Sequence, residues 1–375
     1  MGIFDKLFSK HKIGLVFSGG GGRGSYGLGV WKYLEEIGLT KKISVLSGTS
    51  VGGLNAVLLS LCGFEVAKKV WTTRVEDNIL DFISFENRNW ALFSRTGLIE
   101  IMEEYVDFHK FSSHMRKIYV ACYNKDYEEV EYFCLNKQKI DIIKQLLCAT
   151  SALPGIFQVE NIFGHNYYDG AWFGKGDNMP IKPLCDEGCT DALVINLDRK
   201  NHKDFSNSGM NIIMILPSED LGGNPVGLLD FSPEGAKRRM QLGYYDCKNR
   251  YAPLLKTLCS GLKYSQEETL AREINAMDDK AVLQRTIEIV SNNPDYLEKI
   301  QAEFNIDPPT LGGKVFWHNI VEYNGWCFQQ NDFLDDVFDK QIVRLLDSED
   351  YCRANGSRRQ MVDICRSFLL SRLNP

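Results

Sequence analysis

VLSGTSVGGLNAVLLSL, residues 45–61, decides the fold. An apolar run ends at Gly48, Ser50 stands between Gly48 and Gly52, and a helical stretch runs from about Gly52 to Cys62. G-x-S-x-G at a strand-to-helix junction leaves two readings. The turn is a tight packing turn, or it holds up a serine hydroxyl at a helix N-terminus, where side chains at the flanking glycines would clash. The same order of strand, glycines and helix occurs once before. IGLVFS at 13–18 is a short apolar strand, GGGGRG at 19–24 follows, and SYGLGVWKYLEEIG at 25–38 sets Leu28, Trp31, Leu34 and Ile37 near helical spacing. Two such units in close succession imply a parallel α/β sheet. In such a sheet both loops leave the same edge, so the serine and the glycine loop can converge.

GGGGRG has three functional readings. It fits G-x-G-x-x-G, but a dinucleotide fold needs an acid at the end of the next strand to hold the ribose. That strand ends instead in Ser47-Gly48-Thr49-Ser50. A Walker loop needs Gly-Lys-Ser/Thr at its close, and Arg23-Gly24-Ser25 does not supply it. The third reading is an oxyanion hole. Glycines let backbone N–H groups point at one spot with no side chain in the way, and the following helix start adds partial positive charge. A plain glycine-rich turn is the simpler alternative.

A serine nucleophile needs a base. His11, His109, His114, His165, His202 and His318 lie in no motif that suggests a catalytic turn. Asp169 in NYYDGAW is the better candidate, because it ends an apolar strand and precedes Gly170. An ordinary Asp-Gly turn remains its alternative.

The rest of the chain divides by character. Residues 64–115 read as short helices and loops that could cap a site. KIYVACYN and EVEYFCLN read as a strand pair around a turn near Lys125-Asp126, and a helix fits 138–149. DALVINL at 191–197 and MNIIMIL at 210–216 read as buried strands. Helices are expected at 232–249, 265–275, 278–291, 294–304, 332–347 and 358–373.

Composition excludes some classes. A net charge of −6 leaves no electrostatic footprint for nucleic acid. No window approaches the ~20 apolar residues of a spanning helix. Eleven cysteines at irregular spacing, with no secretory leader, argue for a reducing compartment and against a disulfide framework. Cys185 and Cys189 lack the partners of a zinc site. MGIFDKLFSKHK interleaves apolar residues with charge, and Phe4, Leu7 and Phe8 share one helical face beside lysines. It reads as an amphipathic segment, 1–11, with two readings: it packs on the core or is disordered, or it makes peripheral membrane contact.

Together these pieces resemble the patatin-like phospholipases, in particular bacterial members. The glycine loop Gly19–Gly24 followed by GLGVWKYLEE, Ser50 in GTSVGGLNA, ATSALPGIFQV at 149–159, Asp169-Gly170-Ala171 and DNMPIKPL occur in the family's order. The resemblance implies a three-layer α/β/α fold with a mainly parallel central sheet over 12–250; residues 251–375 fall outside the clear match and read from their pattern as a helical C-terminal extension. The resemblance also implies a Ser-Asp dyad: Ser50 attacks an acyl ester of a lipid, Asp169 takes its proton, and the N–H groups of Gly20, Gly21 and Gly22 hold the oxyanion. Gly19, Arg23, Gly24, Gly48, Gly52 and Gly170 support these motifs, with Arg23 either fixing the loop or facing a lipid phosphate. No metal or organic cofactor is implied, and calcium is unnecessary. The expected substrate is a phospholipid or other acyl ester, with no nucleic-acid partner, at a cytoplasmic or peripheral membrane location. Alternatives are a toxin-like effector of the same chemistry, regulated by a protein partner through the C-terminal helices, a Ser-Asp-His hydrolase using His202, a non-lipid esterase, or an inactive scaffold.

Overall fold

A computed structural model describes residues 11–76, 93–172, 174–199, 203, 205–223 and 226–261, with a few single positions further on. The chain divides into two compact units, Met1–Tyr264 and Ser265–Pro375. Residues 1–10 of the amphipathic segment, and all but a few positions of the helices expected between 265 and 373, lie outside the described residues.

The first strand-loop-helix unit is β1 (Ile13–Phe17), a short 3₁₀ turn (Gly21–Gly24) and α1 (Ser25–Glu36). The second is β2 (Ile43–Thr49) and α2 (Val51–Cys62). Next come α3 (Phe64–Thr73), α4 (Thr96–Tyr105), the hairpin β3 (Lys117–Asn124) and β4 (Glu129–Cys134), and α5 (Ile140–Thr150). A second hairpin, β5 (Glu160–Ile162) and β6 (His165–Asp169), precedes α6 (Lys182–Asp186), β7 (Asp191–Ile195) and β8 (Asn211–Ile215). The described chain closes with α7 (Val226–Leu229), α8 (Pro233–Asp246), a π-helical turn (Cys247–Tyr251) and α9 (Ala252–Ser260).

The strands form one sheet in the order β5-β6-β3-β2-β1-β7-β8, with β4 also paired to β3. β3, β2, β1, β7 and β8 run parallel, and β4 and β6 each pair with β3 antiparallel. Strand periodicity sorts the side chains onto two faces. Ile13, Leu15 and Phe17 of β1, Leu193 and Ile195 of β7, and Ile213 and Ile215 of β8 join the large core under α1, α2, α5, α8 and α9. Val16, Ala192, Val194 and Met214 alternate onto the opposite face, against Leu184 of α6 and Phe205. The result is a three-layer α/β/α fold, much thicker on one side.

The helix expected at 232–249 begins at Pro233, after the N-cap Ser232, whose hydroxyl accepts from Gly235 N–H, and passes into the π turn at Cys247. It lies against α1: a Cβ on Gly29 would fall 1.8 Å from the Met240 carbonyl oxygen. The turn does not end the core either, since Leu254, Leu255 and Leu258 of α9 are buried within it.

Leu255→Ala is expected to cost about 2–5 kcal/mol, the range for emptying a buried leucine site, although it lies beyond residue 250. Denaturant unfolding should show a lower midpoint at unchanged m-value. A midpoint equal to that of the wild type would show that α9 is not part of the core.

Candidate active site

β3 is the strand on which the site is assembled. A strand has two edges for pairing. β4 covers one edge of β3 from Tyr119 to Asn124. Along the other, β2 pairs parallel as far as Thr49 opposite Ala121, and β6 pairs antiparallel, ending with Asp169 opposite Cys122. The two strands therefore run toward each other along one edge and stop at neighbouring residues of β3. Ser50, one residue past the end of β2, is brought beside Asp169. The sequence pointed to both residues but not to this opposed approach, because an antiparallel β6 cannot be read from a local pattern.

Ser50 adopts φ 56° and ψ −133°, a left-handed conformation unusual for a residue with a side chain. Close approach around it fixes the turn. A Cβ on Gly52 would fall 2.2 Å from the Phe17 carbonyl oxygen, and one on Gly48 would fall 2.5 Å from Gly53 N. The Ser50 N–H donates to Thr150 Oγ1 at 3.1 Å, and that hydroxyl donates to the Ala121 carbonyl at 2.6 Å. Ser50 is thus strained, held from below by α5, and placed at the N-cap of α2.

Asp169 is fully buried. Its Oδ1 accepts from Ala171 N–H at 2.8 Å, and its own N–H donates to the Ala152 carbonyl at 3.1 Å. Oδ2 is buried and closes no hydrogen bond of good geometry. Burial pushes the Asp169 carboxyl up to about 6, against the opposing pull of the Ala171 N–H, the Ser50 hydroxyl and the Arg95 charge. Ser50 is therefore near enough to favour the ionised carboxylate without forming a well-aligned hydrogen bond to Oδ2. Gly170 lets the chain turn hard against β3, since a Cβ there would meet the Ala121 carbonyl oxygen at 2.4 Å.

Two consecutive residues tie the parts together. Asp177 N–H donates to the Gly170 carbonyl at 2.7 Å, and the Asp177 carbonyl accepts from Thr49 Oγ1 at 2.7 Å. Asn178 Oδ1 accepts from Gly19 N–H at 2.9 Å. The turn after Asp169, the residue before Ser50 and the start of the glycine loop are thereby bracketed by one dipeptide. The Asp177 side chain is itself held by Tyr132 Oη at 2.7 Å and Lys203 Nζ at 2.8 Å.

The glycine loop is fixed by its carbonyls. Gly20 C=O accepts from Arg23 N–H and from Arg23 Nε, each at 3.2 Å. Gly22 C=O accepts from Ser25 Oγ at 3.1 Å and from Arg239 Nη1 at 2.9 Å. In a trans peptide the N–H points opposite to the C=O, so pinning Gly20 C=O turns the Gly21 N–H the other way. The N–H groups of Gly20, Gly21 and Gly22 donate to no acceptor among the described residues. Arg23 thus fixes the loop, with Asp198 and Asp220 near its charge. Asn55 holds the Gly24 carbonyl at 2.9 Å and receives Trp71 Nε1 at 2.9 Å. Arg239, buried on α8, also bonds the Asp230 carbonyl and its carboxylate. This clamp, Asn178 and Thr150 were missed by the sequence reading. Each acts across a long span of chain and leaves no spacing signal.

Ser50 and Gly21 open onto an apolar cavity lined by Leu54, Leu58, Trp71, Met102, Phe157 and Phe231, among others. The expectation that residues 64–115 cap a site agrees with α3 and α4 contributing to its wall. His11 bonds Asp191, His114 bonds Ser60, and His165 lies beside Asp126. None of the described histidines bonds Ser50 or Asp169, and His202 lies outside the described residues. Among the described residues no group of three or more His, Cys, Asp or Glu is placed to hold a metal, and no helix is long and apolar enough to cross a membrane.

Residues 15–184 match the family model described as patatin-like phospholipase. This segment is similar to the patatin-like phospholipases. Lysophospholipase NTE1 of Eremothecium gossypii is 24% identical over 251 residues, covering 64% of this chain and 15% of that protein. Lysophospholipase NTE1 of Saccharomyces cerevisiae is likewise 24% identical over 251 residues, covering 64% of this chain and 14% of its own length. The chain thus spans about one seventh of these curated relatives, which are fungal and lend nothing to the expected bacterial type. The structure of VipD from Legionella pneumophila aligns with 98% of this chain and 89% of its own, at 14% identity and a TM-score of 0.43. The matched segment holds Gly19–Gly24, Ser50 and Asp169, but ends before Arg239.

The raised Asp169 carboxyl has a consequence for stability. A folded-state value of about 6 against an ordinary 3.8 means that the fold prefers the protonated acid. The cost is absent below about pH 4, grows as pH rises through the folded value, and reaches at most about 3 kcal/mol above it. Asp169→Asn should therefore be more stable than the wild type at pH 8, and the difference should vanish near pH 4. Chemical denaturation at both pH values checks it. A less stable variant at pH 8 would show that the ionised carboxylate is well compensated.

Proposed function

We propose that the protein hydrolyses fatty-acyl esters of membrane lipids, with Ser50 as nucleophile and Asp169 as base. The observation that supports it most is the meeting of Ser50 and Asp169 at the opposed ends of β2 and β6, at the edge of an apolar cavity. Ser50 Oγ attacks the ester carbonyl and its proton passes to Asp169 Oδ2, the oxygen not engaged by Ala171. The oxyanion forms against the N–H groups of Gly20, Gly21 and Gly22, which are aimed before substrate arrives. Collapse breaks the ester bond, and the leaving alkoxide takes the proton from Asp169. Water, deprotonated by the same carboxylate, then attacks the acyl-serine; the acyl–Oγ bond breaks, Ser50 Oγ takes the proton back from Asp169, and the fatty acid leaves.

A carboxylate can serve here without histidine because burial has raised its basicity toward neutrality. The hydrolase domain, expected over 12–250, is taken to include α9, whose Leu254, Leu255 and Leu258 join its core, and the chain beyond Tyr264 is taken as a helical extension open to a regulatory partner. The curated relatives are named lysophospholipases, and the cavity's apolar lining suits an acyl chain, so single-chain lysophospholipids join diacyl phospholipids as substrates to test. Peripheral contact with anionic membrane through residues 1–11 brings the site to its lipid. A toxin-like effector would use the same chemistry.

Purified protein incubated with mixed phospholipids and lysophospholipids, with released fatty acids read by mass spectrometry, tests the reading. Ser50→Ala should abolish release, and Asp169→Asn should lose on the order of 10³-fold or more in kcat. Since Asp169 acts ionised, kcat/KM should rise with pH through about 6 and then level. Release that survives in both variants would sink the assignment.

A further inference from the structure

Arg95 stands out in the cavity. The walls are built mainly from aliphatic and aromatic side chains, yet Arg95 is one of the lining residues, together with Ser50, Asn55 and Ser151. Its described contacts are neutral. Nη1 donates to Ser151 Oγ at 3.0 Å, Nη2 donates to the Cys148 carbonyl at 2.7 Å, and the group lies 4.2 Å over the Phe157 ring. Nε is sealed from solvent and has no hydrogen-bond acceptor. Glu160 and Asp169 act on it only through space, and no carboxylate among the described residues forms an ion pair with it.

One ordinary role is evident. A cation at the carbonyl end of α5 is favoured by the helix dipole, and Arg95 bonds that end. Capping, however, uses one hydrogen on each terminal nitrogen. Nε–H is left over but sealed, so the remaining hydrogen on each Nη is what a ligand in the cavity would meet. Placing an unpaired charge beside an apolar wall is expensive unless something compensates it. The guanidinium fork matches a planar or tetrahedral oxyanion and binds it through charge-assisted hydrogen bonds.

We propose that Arg95 makes this cavity a binding site for the anionic end group of a single-chain amphiphile, with the alkyl chain against the apolar wall and the oxyanion on the guanidinium. Two sources present that chemistry: the carboxylate of a fatty acid, and the phosphate of a lipid headgroup. The inference rests on the acyl-cavity reading given above, but its test does not depend on turnover.

The test uses full-length protein carrying Ser50→Ala, so that no ligand is consumed. Decanoate, decyl phosphate and decanol share one chain and differ in the end group. Isothermal titration should show decanoate or decyl phosphate binding about tenfold or more tightly than decanol, in line with a charge-assisted hydrogen bond. Adding Arg95→Met should remove that advantage while leaving decanol nearly unchanged. Arg95→Lys, which keeps the charge and serves if the methionine variant does not fold, should retain most of it. Preference for decanoate assigns the site to the fatty acid, and preference for decyl phosphate assigns it to the headgroup. Equal affinity for all three ligands in the parent, or a uniform loss in the Arg95 variants, would overturn the proposal and leave Arg95 as a helix cap. A preserved anion preference in a protein that releases no fatty acid would instead overturn the hydrolase reading alone.

Discussion

The shared edge of β3 is the constraint on which the rest depends. One strand edge serves two partners that approach from opposite directions, and the junction falls between Ala121 and Cys122. The C-terminal ends of β2 and β6 are thereby forced together with backbone precision. A parallel sheet alone would have brought the glycine loop and Ser50 to one edge, as β1 and β2 do. It would not have delivered a carboxylate from the opposite side. The hairpin β5-β6 exists in this geometry to turn the chain so that β6 arrives antiparallel.

Around that junction the backbone is over-determined. α5 and the turn after it contribute from one side, with Thr150 holding the Ser50 N–H and the Ala152 carbonyl holding the Asp169 N–H. Asp177 and Asn178 reach across to Thr49, Gly170 and Gly19. The glycine loop is closed from farther away. A Cβ on Gly21, at φ 55°, would fall 2.1 Å from the Leu228 carbonyl oxygen, so the loop is packed against the segment that Arg239 and Asp230 clamp. An alanine at this position would displace the loop as a whole, which makes the substitution a poor measure of any single N–H donor.

Much of this was legible in the sequence, and the limits have physical causes. The motifs around Gly19–Gly24 and Ser50 are local: strand, turn and helix follow within a few residues, and glycine is required where backbone meets backbone. Asp169 was also visible, as an acid at the end of a strand before glycine. What the sequence did not disclose is pairing over distance. The direction of β6, the Arg239 clamp 217 residues from Gly22, and the approach of Arg95 to α5 are set by tertiary packing and leave no period or spacing. The helix expected at 232–249 was recognised from its pattern, whereas its continuation through a π turn into α9 was not. A π turn adds one residue to the helical repeat and so breaks the periodicity used to see it.

The left-handed backbone of Ser50 also bears on how such a chain would drift. A conformation of that kind costs on the order of 1 kcal/mol or more for a residue with a Cβ, and glycine adopts it freely. Alanine at this position would keep the strain and lose only the hydroxyl. A lineage that no longer used the hydroxyl would therefore gain stability by exchanging serine for glycine, and random substitution would tend to erase the residue. Ser50 carries a standing thermodynamic penalty that neither packing nor hydrogen bonding requires. Its presence weighs against an inert scaffold on grounds of mutational economy, independently of any assay.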